Sequence, residues 1–105
     1  MVERVYLLTK EFPKEELYGL TGQLRRSAVS IPSNVAEGFA RNYKKEYKQF
    51  LYVALGSCAE LTTQITIAAK LGYVEDNVAE SFLDELDQIS RMIMALAKKL
   101  DLPYH

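Results

Sequence analysis

Residues 20–41 read LTGQLRRSAVSIPSNVAEGFAR, and this stretch decides the fold class. Leu17, Leu20, Leu24, Ala28, Ile31, Val35 and Phe39 recur at steps of three and four. That spacing makes one apolar stripe of an amphipathic helix, the face that turns toward a core. The opposite stripe is Arg26, Ser30, Ser33, Glu37 and Arg41. Hydroxyls between two arginines differ from the Lys/Glu mixture of a purely solvated face, so this stripe is expected to touch something other than water. Pro32 removes one amide donor and frees the carbonyl of Ala28, which predicts a bend near Pro32. Ser30 and Ser33 stand close enough to absorb the lost bond with their hydroxyls.

Working outward, the same periodicity gives four helices, over 2–11, 20–40, 43–71 and 77–100. Val2, Val5, Tyr6 and Leu8 carry the first, which Phe12-Pro13 stops. Asn42 is the expected cap of the third helix, whose core stripe is Tyr43, Tyr47, Phe50, Leu51, Ala54, Cys58, Leu61, Ile65 and Ala68. Gly72 has the place of a C′ residue. Asp76 or Asn77 is expected to cap the fourth helix, where Ala79, Phe82, Leu86, Ile89, Ile93, Leu96 and Leu100 alternate steps of three and four. Such a seam is the pattern of near-parallel helix packing. With short connections and no hairpin signal, the expected fold is all-α: one domain over 1–105, an antiparallel up-and-down four-helix bundle.

A chain of 105 residues with 49% apolar and 26% charged residues can bury one core without staples. The lone Cys58 cannot form an internal disulfide. No apolar run approaches the ~18 residues of a membrane span, and the N-terminus lacks the pattern of a signal peptide, so a cytoplasmic location is expected.

Most chemistries lack their residues here. His105 is the single histidine and the last residue, a poor position for a general base. No Cys/His spacing suits zinc, no glycine loop suits a phosphate or dinucleotide, and no Glu-x-x-His pair suits a di-metal bundle. The carboxylates Glu75, Asp76, Glu80, Asp84, Glu85 and Asp87 follow the outer face and first turns of the fourth helix as solvated charges. Neither an enzyme nor a cofactor nor a small-molecule substrate is expected.

Two surfaces remain. The back of the third helix carries Lys45, Gln49, Tyr52, Gly56, Thr63 and Ile67. Its middle is uncharged and holds a glycine that costs ~1 kcal/mol against alanine, which predicts close approach of another subunit. The expected subunit contacts are Arg26, Ser30, Ser33, Glu37, Gln49, Tyr52, Gly56 and Thr63. The second surface is basic. Net charge is -1, yet residues 25–48 hold Arg25, Arg26, Arg41, Lys44, Lys45 and Lys48 against only Glu37 and Glu46. Lysine and arginine neutralise phosphates whatever the base sequence, so these six are the candidate nucleic-acid contacts. Tyr43 and Tyr47 are read as core-edge residues rather than a stacking platform.

Several segments resemble one bacterial family: Phe12-Pro13, Glu16 to Thr21, Gln23 to Arg26, the run Ser30-Ile31-Pro32-Ser33-Asn34-Val35-Ala36-Glu37-Gly38, then Arg41, Tyr47, Phe50-Leu51, Ala54-x-Gly56-Ser57 and Leu71-Gly72-Tyr73. The likeness spans residues 12 to 100. It is to the small four-helix-bundle proteins first noted as products of intervening sequences in the large-subunit ribosomal RNA gene. The resemblance implies an antiparallel four-helix bundle and a homopentamer. The chain is also similar to the accessory proteins of diversity-generating retroelements, basic pentamers that bind nucleic acid and reverse transcriptase. This chain departs from both groups. It has no Trp, where the family carries Lys-x-Trp in a longer first helix, which predicts a bundle trimmed at one end, and it is not basic overall. The expected function is a non-enzymatic, oligomeric scaffold whose partner is RNA or an RNA–protein complex. The alternative is a pure protein-interaction oligomer.

Overall fold

A computed structural model describes residues 1–101. Four α-helices follow one another: α1 (Val2–Thr9), α2 (Leu20–Phe39), α3 (Lys44–Lys70) and α4 (Asp76–Lys99), with a 3-10 turn at Lys14–Glu16 between the first two. Among the described residues there is no strand. Each helix packs on the next, α1 on α2, α2 on α3 and α3 on α4, as short connections demand. The bundle measures 49 × 24 × 17 Å.

The core is the predicted one in its middle. Leu24, Ala28 and Ile31 of α2 meet Leu51, Ala54, Cys58, Leu61, Ile65 and Ala68 of α3, and Ala79, Phe82, Leu86 and Ile93 of α4 close over them. The stripes overreach at their ends. Leu17 lies outside the core, Phe39 is 75% exposed and Tyr43 is 70% exposed. Phe39 is the last residue of α2 and Tyr43 precedes α3, so neither has a facing helix deep enough to cover it.

Two expected caps move by one residue. Tyr43, not Asn42, takes the extended backbone before α3, and Glu75 does so before α4. Neither makes a side-chain capping bond. Asp76 instead opens α4, where its charge meets the positive end of the helix dipole. At the other end of α3, Gly72 has φ +82°, the Tyr73 amide donates to the Ala68 carbonyl and the Gly72 amide to that of Ala69. This is a complete Schellman stop, as the sequence predicts.

Pro32 does not divide α2, which runs as one helix to Phe39. Ser30 is used elsewhere than at the freed carbonyl. Its hydroxyl shares a 2.7 Å bond with that of Ser57 on α3, and the Asn34 amide donates to it at 2.9 Å. Within the chain, the tight helix approach at a glycine is at Gly38, while the back of α3 at Gly56 is open. A Cβ on Gly38 would come within 2.9 Å of the Phe50 Cβ and the Tyr47 ring, whereas one on Gly56 would meet nothing within 4 Å.

α1 is tied to α4 by one side chain. Arg4 forms an ion pair with Glu85, donates to the Ser81 hydroxyl at 3.1 Å and lies 4.1 Å over the Phe82 ring. α3 holds an 18-residue window of mean hydropathy 1.2, long and apolar enough to cross a membrane, which the short apolar runs of the sequence did not suggest. Its apolar stripe is accounted for by the core between α2 and α4.

Candidate nucleic-acid interface and subunit face

The six candidate cations fall into two groups. Arg25 belongs to the interior of the fold: its Nε donates to Thr9 Oγ1 at 3.0 Å and its guanidinium lies 4.7 Å over the Tyr6 ring. It fastens α1 to α2. Arg26 is exposed on the next position, with its guanidinium folded beside Gly22. Both stand two-thirds of α2 away from the others.

Arg41, Lys44, Lys45 and Lys48 gather at the opposite end, where α2 leaves and α3 begins. Arg41 pairs with Glu37 at 2.7 Å and lies 4.8 Å over the Phe50 ring. Lys48 pairs with Asp101, and the hydrogen bond to that carboxylate holds its ammonium above the ordinary lysine pKa. Because α3 and α4 run antiparallel, this pair marks where the C-terminal turn of α4 arrives, bringing exposed Lys98 and Lys99 to the same end. Sequence reasoning missed both lysines. The signal was available in the matched lengths of the two helices, which place the last turn of one beside the first turn of the other.

The subunit-face candidates divide as well. Gln49, Tyr52, Gly56 and Thr63 are exposed on the back of α3, with Tyr52 55% exposed. Ala59 and Ile67 extend this uncharged strip, and Thr63 turns its hydroxyl onto the Ala59 carbonyl at 3.1 Å, which leaves the strip less polar. Beside it, Gln23, Arg26, Ser27, Glu60 and Gln64 line a shallow polar hollow. Gln64 is buried there and its Oε1 has no hydrogen-bond partner. Ser30 is committed to Ser57 within the chain, while Ser33 and Glu37 are exposed.

A second uncharged surface lies between α2 and α4. Ile31, Pro32, Val35, Phe39, Ile89 and Ile93 line an open apolar groove of about 500 Å³. It adjoins the first turn of α1, where Met1 and Val2 stand beside Ile31, Pro32 and Ile89.

No catalytic arrangement accompanies these surfaces among the described residues. Cys58 is buried, and burial raises its thiol pKa despite an opposing bond with Ser90. No group of three His, Cys, Asp or Glu residues could hold a metal ion among the described residues.

The model of the 23S rRNA-intervening sequence proteins matches residues 1–95. The chain belongs to that family. A crystal structure of a protein of unknown function from the S23 ribosomal protein family of Bacteroides thetaiotaomicron shares the fold. Its TM-score is 0.85 at 19% identity, over 92% of this chain and 91% of that one. No curated protein matches. Membership in the intervening-sequence family and the four-helix fold are thus established together, and neither the family nor the structural neighbour is a known enzyme.

Proposed function

We propose that this member of the intervening-sequence family is a non-enzymatic, cytoplasmic scaffold that assembles with copies of itself and binds RNA or an RNA–protein complex. The uncharged strip on α3 carries the reading. A stable helix exposes Tyr52, Gly56, Ala59, Thr63 and Ile67 on one side while its other side already serves the core. Contiguous apolar surface of this kind marks contact sites. The orphan Gln64 acceptor and the exposed Arg26 beside it give the same region polar groups for a neighbouring subunit to satisfy. The resemblance to pentameric relatives favours a five-fold ring. Repetition of a weak basic patch around such a ring raises its affinity through multivalency.

RNA is the favoured partner because the family is described by its ribosomal RNA gene context and the cations are phosphate-binding types. An anisotropy titration with structured RNA at ~50 and ~200 mM salt tests this. Binding that weakens steeply with salt supports the proposal, and no binding at the lower salt, or binding indifferent to salt, contradicts it. The apolar groove between α2 and α4 favours the second reading, a pure protein-interaction oligomer whose arginines serve interfaces.

A further inference from the structure

The fold sorts charge along its length in a way that the sequence order hides. At the α2–α3 end stand Arg41, Lys44, Lys45, Lys48, Lys98 and Lys99, against Glu37, Glu46 and Asp101. At the other end stand Glu11, Glu15, Glu16, Glu75, Asp76 and Glu80, against Lys10, Lys14 and Lys70. That second end is fixed as one locus by the Tyr73 hydroxyl, which donates to Glu16 at 3.0 Å, and by the Phe12 and Tyr73 rings, 5.3 Å apart. Among the described residues, a nearly neutral chain is therefore a 49 Å rod with six cations against three carboxylates at one tip and the reverse at the other.

We infer that the α2–α3 tip is a docking surface for single-stranded nucleic acid, with Lys45, Lys98 and Lys99 on the phosphodiester backbone and Tyr43 under a base. The inference rests on the RNA reading above and locates it. Three observations support it beyond the presence of positive charge. Two of the three local carboxylates are already engaged: Glu37 holds Arg41 and Asp101 holds Lys48, whereas Lys45, Lys98 and Lys99 have no ion pair with the described residues. Aromatic rings stand among these cations: Tyr43, 70% exposed, directly precedes Lys44 and Lys45, and Phe39, 75% exposed, leans edge-on against Tyr47. Cations interleaved with exposed rings are the composition of a single-strand platform, because every base has a face to stack and every nucleotide a phosphate. Finally, the opposite tip repels a polyanion, so an approaching strand is oriented toward this one. In a closed cyclic ring the basic tips are equivalent by rotation, which repeats the same patch around the axis.

The test uses the full chain and fluorescein-labelled 20-nucleotide single strands, one RNA and one DNA of the same sequence, with the matching duplex as a third arm. The double variant Lys98→Glu/Lys99→Glu is compared with Lys10→Glu/Lys14→Glu, which makes the same change in net charge at the acidic tip. The expected result is at least a tenfold loss for the first variant and less than about threefold for the second. The slope of log affinity against log salt should fall by about 1.4 for the two lost contacts on a single strand. Tyr43→Ala should weaken the single strands several-fold and leave the duplex unchanged. Circular dichroism confirms folding, and Lys98→Gln/Lys99→Gln gives a milder check with the same sign. Equal losses from the two double variants, or none from either, overturn the tip assignment while RNA binding stands. Failure of the unaltered chain to bind either single strand, the duplex or structured RNA at ~50 mM salt overturns both, whereas binding of structured RNA without the single strands overturns this inference alone. RNA and DNA bound alike identify the backbone as the ligand, whereas a preference for the duplex overturns the single-strand assignment.

Discussion

Tyr73 shows how one side chain couples segments far apart in the sequence. Its hydroxyl donates to Glu16, and that bond, chiefly, raises its pKa above the ordinary tyrosine value. The folded state thus favours the neutral phenol. The stabilisation is fully present below the ordinary tyrosine pKa and is lost as pH rises through the higher folded value. Tyr73→Phe should therefore be less stable than the parent at neutral pH, with the difference shrinking above pH 10 in urea titrations. Cys58 gives a second prediction. Burial raises its thiol pKa, so alkylation of the native protein at pH 7.5 should be slow, and mild urea should accelerate it as the bundle opens. Rapid alkylation without denaturant would contradict the packing of α3. Residue types alone make Cys58 legible as a small hydrophobe, because it sits in phase with the apolar stripe. They do not reveal Ser30 as a partner of Ser57, because a hydroxyl in a helix reads the same whether it meets water, backbone or another hydroxyl.

The glycines separate what an element needs from what it tolerates. Gly72 closes α3 with a positive φ, so Gly72→Ala should cost about 1 kcal/mol. Gly38→Ala drives a methyl group into Phe50 and Tyr47 and should cost about 1–3 kcal/mol. Gly56→Ala meets open space and should raise the stability of the isolated protomer by up to about 1 kcal/mol, since alanine is the better helix former. Thermal melts of the three variants check the order of effects. Helix periodicity makes every helix and most of the core legible, because a 3.6-residue repeat over twenty or more residues leaves few alternatives. Caps fail by one residue, since Asn42 and Asp76 each have a neighbour able to take the same extended backbone. The tight approach at Gly38 was not legible, because spacing along one helix carries no information about where its partner crosses.

At the scale of the whole molecule, the bundle arranges three surfaces around one core: a basic tip, an uncharged strip on α3 and an apolar groove beside α1. Only the strip was legible directly, as the face opposite the core stripe. The basic tip was half legible. The sequence groups Arg25 and Arg26 with the lysines after residue 40, but α2 carries them apart along its length. The antiparallel return of α4 then supplies Lys98 and Lys99 from the far end of the chain. The groove was not legible as a surface, because Ile31, Val35, Phe39, Ile89 and Ile93 read as core-stripe positions of α2 and α4. Self-association is the claim on which the scaffold reading stands, since it covers the strip and multiplies the tip. Multi-angle light scattering of the purified full chain at micromolar concentration tests it most directly. The expected mass is several times the 12.0 kDa of one chain, five-fold in a pentamer, with a fall toward one chain on Gly56→Trp. A mass of 12.0 kDa for the unaltered protein would contradict it.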